Sequence, residues 1–378
     1  MSEDPATDSP PPLEPSGPVA GRAERYPCPR CHADTTLEPG ADALVCAHCG
    51  NRAPIPPSDV PIHEHDLHEA LASVRRGAPA DLAAGGREVQ CENCGARTVT
   101  TAQAQRCPFC DHALVIELGR SEDSIVPTAV LPFAIPRDRA GSLFVAWLGK
   151  RWFAPSDLTR RAAREGLDGV YLPYWTYDSD TTTAYRGERG DYYYVSESYR
   201  DAQGNQRTRQ VRRTRWSFAS GTIYLEFDDV LVCATPSLPG PLVDKLEPWD
   251  LGSLRPFDGK YLAGFMAERY RVDLEAGFQR AEQRMEPRIR DAIRADIGGD
   301  EQRIGSMKVR HEHVTFKHVL LPLWLSAFRY RDRVFRVSIN ARTGEVSGER
   351  PWSWVKITLL VLAIVAAIVG IIWLAHRG

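Results

Sequence analysis

Eight of the nine cysteines fall as four copies of one spacing: Cys28-x-x-Cys31, Cys46-x-x-Cys49, Cys91-x-x-Cys94 and Cys107-x-x-Cys110. A Cys-x-x-Cys turn puts two sulfurs on one small loop, and two such loops close a tetrahedron around a divalent ion, with Zn–S near ~2.3 Å. Fourteen residues lie between Cys31 and Cys46 and twelve between Cys94 and Cys107, room for two short strands and a turn in each case. The spacing therefore predicts two zinc ribbons and two structural Zn²⁺ ions. Each ion would be ringed by four thiolates, with no open position for water or substrate. Iron also suits such a donor set. A dithiol redox pair needs a βαβ setting and does not come as four. Pro29 and Pro108 stiffen two of the turns, while Gly50 and Gly95 follow Cys49 and Cys94 where the backbone must be tight. Cys233, alone in an apolar run, reads as a small buried thiol.

The other polar clusters are weaker. His63-Glu64-His65-Asp66-Leu67-His68 looks like a metal site, yet a zincin needs His-Glu-x-x-His on one helix, and His311-Glu312-His313 fails in the same way. These histidines read as solvated or capping residues, the first group on a short helix from about His65 to Arg76. Asp178-Ser179-Asp180 and Asp228-Asp229 read as turn residues rather than a general acid and base. No phosphate-binding loop, dinucleotide fingerprint or nucleophile elbow occurs, so no enzyme is expected.

Charge narrows the partners. Lys and Arg number 47 against 49 Asp and Glu, a formal net charge of -2 without the basic surplus of a dedicated nucleic-acid binder. From Tyr26 to His112 there are seven Arg, no Lys and eleven acidic residues. Phosphate contacts need cations, so these ribbons are expected to meet protein rather than nucleic acid.

The elements that must hold the cysteines fall into six stretches. Residues 1–25 are a Pro-rich acidic leader without the apolar core of a signal peptide, expected to be disordered and to leave the ribbons in the cytoplasm. Ribbon 1 covers 26–52, a linker with a short helix 53–86, and ribbon 2 87–118. A mixed α+β domain covers 126–351. Residues 356–375 form a transmembrane helix. Ile357 to Ala375 carries no formal charge, and nineteen residues at ~1.5 Å each give about 28 Å, enough to span a bilayer once. Trp352, Trp354 and Trp373 suit the headgroup zones, and Arg350 and Lys356 mark the cytoplasmic end.

Within the α+β domain, Arg137 to Trp152 reads as an amphipathic helix. A second is expected from near Asp258 through Met266, followed by an apolar stripe of Leu274, Phe278, Ala281, Met285, Ile289 and Ala292 that Pro287 must kink or split. Asp191–Tyr199 and Gln206–Phe218 flank a turn and read as an exposed hairpin. Its second arm carries Arg207, Arg209, Arg212, Arg213 and Arg215, which could also meet nucleic acid or anionic headgroups. Val170-Tyr171-Leu172-Pro173-Tyr174-Trp175 is echoed by Val319-Leu320-Leu321-Pro322-Leu323-Trp324, a hint of duplicated subdomains. Arg333–Ser338 and Glu345–Gly348 read as a closing hairpin.

The order of motifs resembles a bacterial family of membrane-anchored double zinc-ribbon proteins, often labelled transcription-factor-type zinc-ribbon or helicase-like. It is carried by the four cysteine knuckles, Arg151-Trp152-Phe153-Ala154-Pro155, Gly169 to Trp175, Pro256-Phe257-Asp258, Tyr261-Leu262-Ala263-Gly264-Phe265 and Leu321-Pro322-Leu323-Trp324. The resemblance implies recruitment of protein partners to the inner membrane face in envelope stress, with flotillin-like proteins among them. The expectation is a single-pass scaffold whose bulk is cytoplasmic; a zinc-ribbon nucleic-acid-binding or regulatory protein is the alternative.

Overall fold

The computed structural model describes residues 26–58, 60–75, 87–91, 93–100, 107–110, 116–118, 125–153, 155, 166–200, 202–330 and 333–376. The leader and much of the linker lie outside them. The architecture is mixed α+β, with two N-terminal tetra-cysteine clusters and a long apolar helix at the C-terminal end.

Strands β1 (Thr35–Leu37), β2 (Ala43–Cys46) and β3 (Arg52–Pro54) form an antiparallel sheet around the first cluster. Then come β4 (His65–Asp66), α1 (Leu67–Arg75), β5 (Arg87–Gln90), β6 (Arg97–Thr100), β7 (Ile116–Leu118), β8 (Ala129–Val130) and α2 (Arg137–Gly149). Two very long strands follow, β9 (Asp168–Arg200) and β10 (Gln206–Cys233), then α3 (Gly240–Asp244), β11 (Arg255–Pro256), β12 (Met266–Glu268) and α4 (Leu274–Ile297). The chain closes with β13 (Glu301–Tyr330), β14 (Arg333–Asn340), β15 (Val346–Gly348) and α5 (Trp354–Ala375).

Burial along β9 explains its length. Val170 to Tyr177 are buried at every position, as a strand covered on both faces requires. From Ser179 to Gly190 burial alternates, because α4 covers one face only, and beyond Asp191 it gives way to exposure. The hairpin read as Asp191–Tyr199 and Gln206–Phe218 is thus the outer end of a ladder that continues inward to Tyr174 and Cys233. At ~3.3 Å per residue, about 100 Å of strand separates Gly169 from Arg200. Beyond Gly190, where pairing with β13 stops, β9 pairs only with β10 among the described residues, so the two form a projecting arm.

The two echo motifs lie side by side. Leu172 is opposite Leu321, Pro322 opposite Tyr171 and Val319 opposite Tyr174 in the antiparallel β9–β13 ladder. Val170 and Tyr171 pair in parallel with Met266 and Ala267 of β12, and Val319 and Leu320 pair in parallel with Ala129 and Val130 of β8. Each copy of the motif thus receives a short strand in the same register, and each runs into a hairpin, β9 into β10 and β13 into β14. The repeats are β8-α2-β9-β10 and β12-α4-β13-β14, and they are interlaced. The short strand of each pairs with the long strand of the other. Phe144 and Leu148 of α2 pack with Val337 and Ile339 of β14, while α4 packs on Tyr177, Phe227 and Val232 of β9 and β10.

One expectation is corrected and a second is narrowed. The stretch from Asp258 to Met266 is not a helix: it holds a 3₁₀ turn at Gly259–Leu262 and then β12. Pro287 does not split α4, which runs unbroken from Leu274 to Ile297. Seven residues of its inward side, Leu274, Gly277, Ala281, Met285, Ile289, Ile293 and Ile297, are buried, and that packing outweighs the ~3 kcal/mol cost of an interior proline.

Candidate metal centres

Each quartet of cysteines converges. The four Sγ atoms of Cys28, Cys31, Cys46 and Cys49 lie within 4.8 Å of one another, as do those of Cys91, Cys94, Cys107 and Cys110. Cys28–Cys49 and Cys31–Cys46 are 3.5 Å apart, Cys91–Cys110 3.5 Å and Cys94–Cys107 3.6 Å. A disulfide would need ~2.05 Å. A tetrahedron with metal–sulfur bonds of ~2.3 Å has edges of about 3.8 Å, so the spacing and the donor set fit a metal ion in both places.

The knuckle backbone explains how the chain reaches this geometry. Gly50 and Gly95 have φ near 70°, and their amides donate to Cys46 O and Cys91 O at 2.9 and 2.8 Å. His32 takes the same place after Cys31 with φ 62°, donating to Cys28 O at 2.9 Å. His32 therefore closes a knuckle through its backbone.

The thiols cannot all ionise side by side without a cation between them. The hydrogen bond between Cys94 and Cys107 pulls Cys94 down to about 5 and pushes Cys107 far up. In the first quartet Cys28 falls to about 6: burial opposes its ionisation, but the amides of Arg30 and Cys31 outweigh it. A divalent ion would remove that conflict.

Both quartets are built into the body. Leu37, Leu44 and Ile55 of the first region share a core with Phe133, Tyr171 and Trp324, and Leu37 N donates to Ala263 O at 2.9 Å. The second is deeper. Cys91, Cys107, Cys110 and Phe109 are at most 2% exposed and pack with Leu172, Tyr174, Leu321 and Leu323. Through β6, which pairs with β12, strands β5 and β7 extend the main sheet. Arg271 Nη1 donates to Gly95 O at 2.9 Å and Arg336 Nε to Phe109 O at 2.6 Å, so both knuckles are gripped from outside. Beside them Glu268 is buried, which raises its carboxyl to about 7. It accepts hydrogen bonds from Thr235 and Ser237.

The acidic pairs read from sequence as turn residues are not in turns. Asp178, Asp228 and Asp229 converge from β9 and β10, where the register shifts between Phe227 and Val230. Their neighbour is Lys317 of β13, whose Nζ is 2.8 Å from Asp229 Oδ1 and donates to Glu64 Oε1 at 2.8 Å. Lys317 supplies the cation itself: its hydrogen bond holds Glu64 down at about 2, while burial lifts Asp178 to about 6. No local pattern announces this group, because Glu64 and Lys317 are far apart in sequence. His311 and His313 stay separate from the metal quartets: His311 Nδ1 is 3.0 Å from Ser179 Oγ, and His313 Nδ1 is 3.0 Å from Asp180 Oδ2. Ser179, only 3% exposed, is closed to a substrate. Cys233 is half-buried, and burial pushes its thiol up to about 12, the opposite of nucleophile activation.

α5 is the one helix among the described residues long and apolar enough to cross a membrane, and none of its residues is buried. Its 22 residues measure about 33 Å. Ser353 caps it, accepting from Lys356 N at 3.4 Å. β15 runs toward the Asp168 end of β9, so the chain leaves for α5 at the opposite end of the sheet from the arm's tip.

The chain is a distant homologue of the uncharacterized protein YdjG of Bacillus subtilis (strain 168), to which it is 27% identical over 372 residues, covering 91% of this chain and 98% of that protein. No protein-family model matches the chain. No solved structure matches it.

Proposed function

We propose that this chain is a single-pass membrane scaffold whose bulk lies in the cytoplasm, braced by two structural zinc ions and recruiting protein partners to the inner membrane face. All eight paired cysteines, Cys28, Cys31, Cys46, Cys49, Cys91, Cys94, Cys107 and Cys110, serve as ligands. Each ion is closed by four thiolates, so its work is mechanical. α5 is the anchor, and no catalytic step is assigned to the chain.

The observation that carries this reading is the β9–β10 arm, an extended surface at the end of the sheet away from α5. Its arginines are organised by its own side chains: Arg213 Nη2 donates to Glu197 Oε1 at 2.5 Å, and Arg212 lies 4.1 Å from the centre of the Tyr192 ring. Such a mixed polar and aromatic face suits a folded partner. Flotillin-like membrane-stress proteins are the first partners to look for.

The test is affinity capture of the full-length protein from membranes, beside a variant in which residues 191–215 are replaced by a short turn. A partner lost with the arm, while the metal content and the membrane fraction stay as in the parent, supports the scaffold. Unchanged partners would reject the arm as the recruiting surface. A steep salt-dependent mobility shift with nucleic acid would favour the zinc-ribbon nucleic-acid alternative.

A further inference from the structure

The loop after α2 is far from α5 in sequence, yet the two are fastened together. Ser353 N donates to Phe153 O at 2.7 Å, and Lys356 Nζ donates to Trp152 O at 3.1 Å. The Phe153 ring lies 5.4 Å from Trp152 and 6.2 Å from Trp352. Cations cover Trp352 and the nearby Trp147 of α2. The Arg350 guanidinium sits 4.5 Å from the centre of the Trp352 ring, and that of Arg151 sits 4.8 Å from Trp147.

Such a cluster is hard to explain as a surface meant for water. Trp152, Trp352 and Trp354 are 67%, 54% and 73% exposed. Arg151, Arg350 and Lys356 bring three positive charges to the base of one apolar helix, and Lys150 adjoins Arg151 in the chain. Among the described residues no carboxylate is paired with Arg151 or Arg350, and the ionised form of Arg350 is disfavoured by burial and then by repulsion from Arg151. Like charges held together in this way await an anion. Indole rings gain most where an apolar medium meets a wet one, and basic residues beside a span are drawn to anionic leaflets.

We propose that the loop after α2 and the segment leading into α5 form one headgroup-binding platform, in which Lys150, Arg151 and Arg350 take the phosphates of anionic phospholipids and Trp152 and Trp352 lie at headgroup level. The proposal rests on reading α5 as a membrane span. It adds a second contact, which fixes the body's orientation over the bilayer. Because Phe153 and Trp152 hold Ser353 and Lys356 through their carbonyl oxygens, the platform and the helix move as one.

The test loads the full-length chain into nanodiscs of phosphatidylcholine alone or of equimolar phosphatidylcholine and phosphatidylglycerol. Hydrogen exchange is then followed over residues 147–153. The platform predicts slower exchange in the anionic discs. Lys150→Gln, Arg151→Gln and Arg350→Gln should each weaken that lipid preference about fivefold, with loading into discs unchanged. A chain that loads equally into both discs but exchanges identically in them overturns the platform and leaves the span standing. A chain that enters neither disc overturns both. Trp152→Leu, which keeps every charge, should speed exchange over the loop in both kinds of disc; no change would remove the aromatic half of the proposal.

Discussion

Leu172 and Leu321 face one another across the β9–β13 ladder and occupy the same place in the two copies of the Leu-Pro-containing motif, so the approximate two-fold axis of the body passes between them. Both are fully buried. Leu172→Ala should cost about 2–5 kcal/mol, as buried leucine truncations do. Because the two side chains share one environment, the Leu172→Ala/Leu321→Ala double variant should depart from additivity. Denaturant unfolding of the four proteins in detergent measures the coupling, and strict additivity would contradict the shared core.

At Gly277, α4 packs against strand side chains with no room for a Cβ. A Cβ there would stand 2.3 Å from Tyr177 Oη and 2.8 Å from Trp175 Cδ1. Those two side chains clamp the start of the helix, Tyr177 Oη donating to Leu274 O at 2.8 Å and Trp175 Nε1 to Val272 O at 3.0 Å. Gly277→Ala should therefore destabilise the protein by about 1–3 kcal/mol, despite alanine's better helix propensity. A thermal shift upward would disprove the clash.

The surroundings of Gly277 and Leu172 bear on how much the sequence could reveal. The cysteine quartets were legible because their short, repeated spacing is the one that tetrahedral ligation requires, and α5 because its apolar run is uninterrupted and long enough for a bilayer. The α4 stripe was legible too. What stayed hidden depends on contacts distant in sequence. Nothing near Asp258 marks Met266–Glu268 as a strand, since that segment is extended by Val170 and Tyr171 beside it. Lys317 looked like any basic strand residue until Glu64 and Asp229 closed on it. The full length of β9 was hidden because its burial pattern changes character twice.

His318 should give the protein an acid-sensitive step. Burial lowers its pKa to about 4, against the partial help of the Ile125 and Val126 carbonyls, and its Nδ1–H donates to Ile125 O at 2.9 Å. The unfolded ring titrates near ~6.5. The folded state thus binds fewer protons between those limits, and its contribution is complete above pH ~6.5 and lost as the pH falls to about 4, roughly 3 kcal/mol in all. His318→Gln should flatten that part of the stability–pH curve. An unchanged slope would assign the acid sensitivity elsewhere.

The two metal centres should differ in consequence. Elemental analysis of the reduced, full-length protein should find about two zinc ions per chain, falling to about one in Cys31→Ser and in Cys94→Ser. Cys94→Ser should lower the unfolding temperature further, because its quartet shares a core with Leu172 and Leu321. Equal losses in both variants would contradict that difference, and metal-free wild-type protein would remove the ions altogether.

Interlacing of the repeats bears on how the chain is made. While a ribosome is still extending it, β9 and β10 emerge with neither β12 nor β13 available, so the nascent first repeat must be kept from wrong strand partners until some 320 residues exist. Only about thirty residues then separate the completing strand from Trp354, so closure of the body and emergence of the apolar helix fall within one short interval of synthesis.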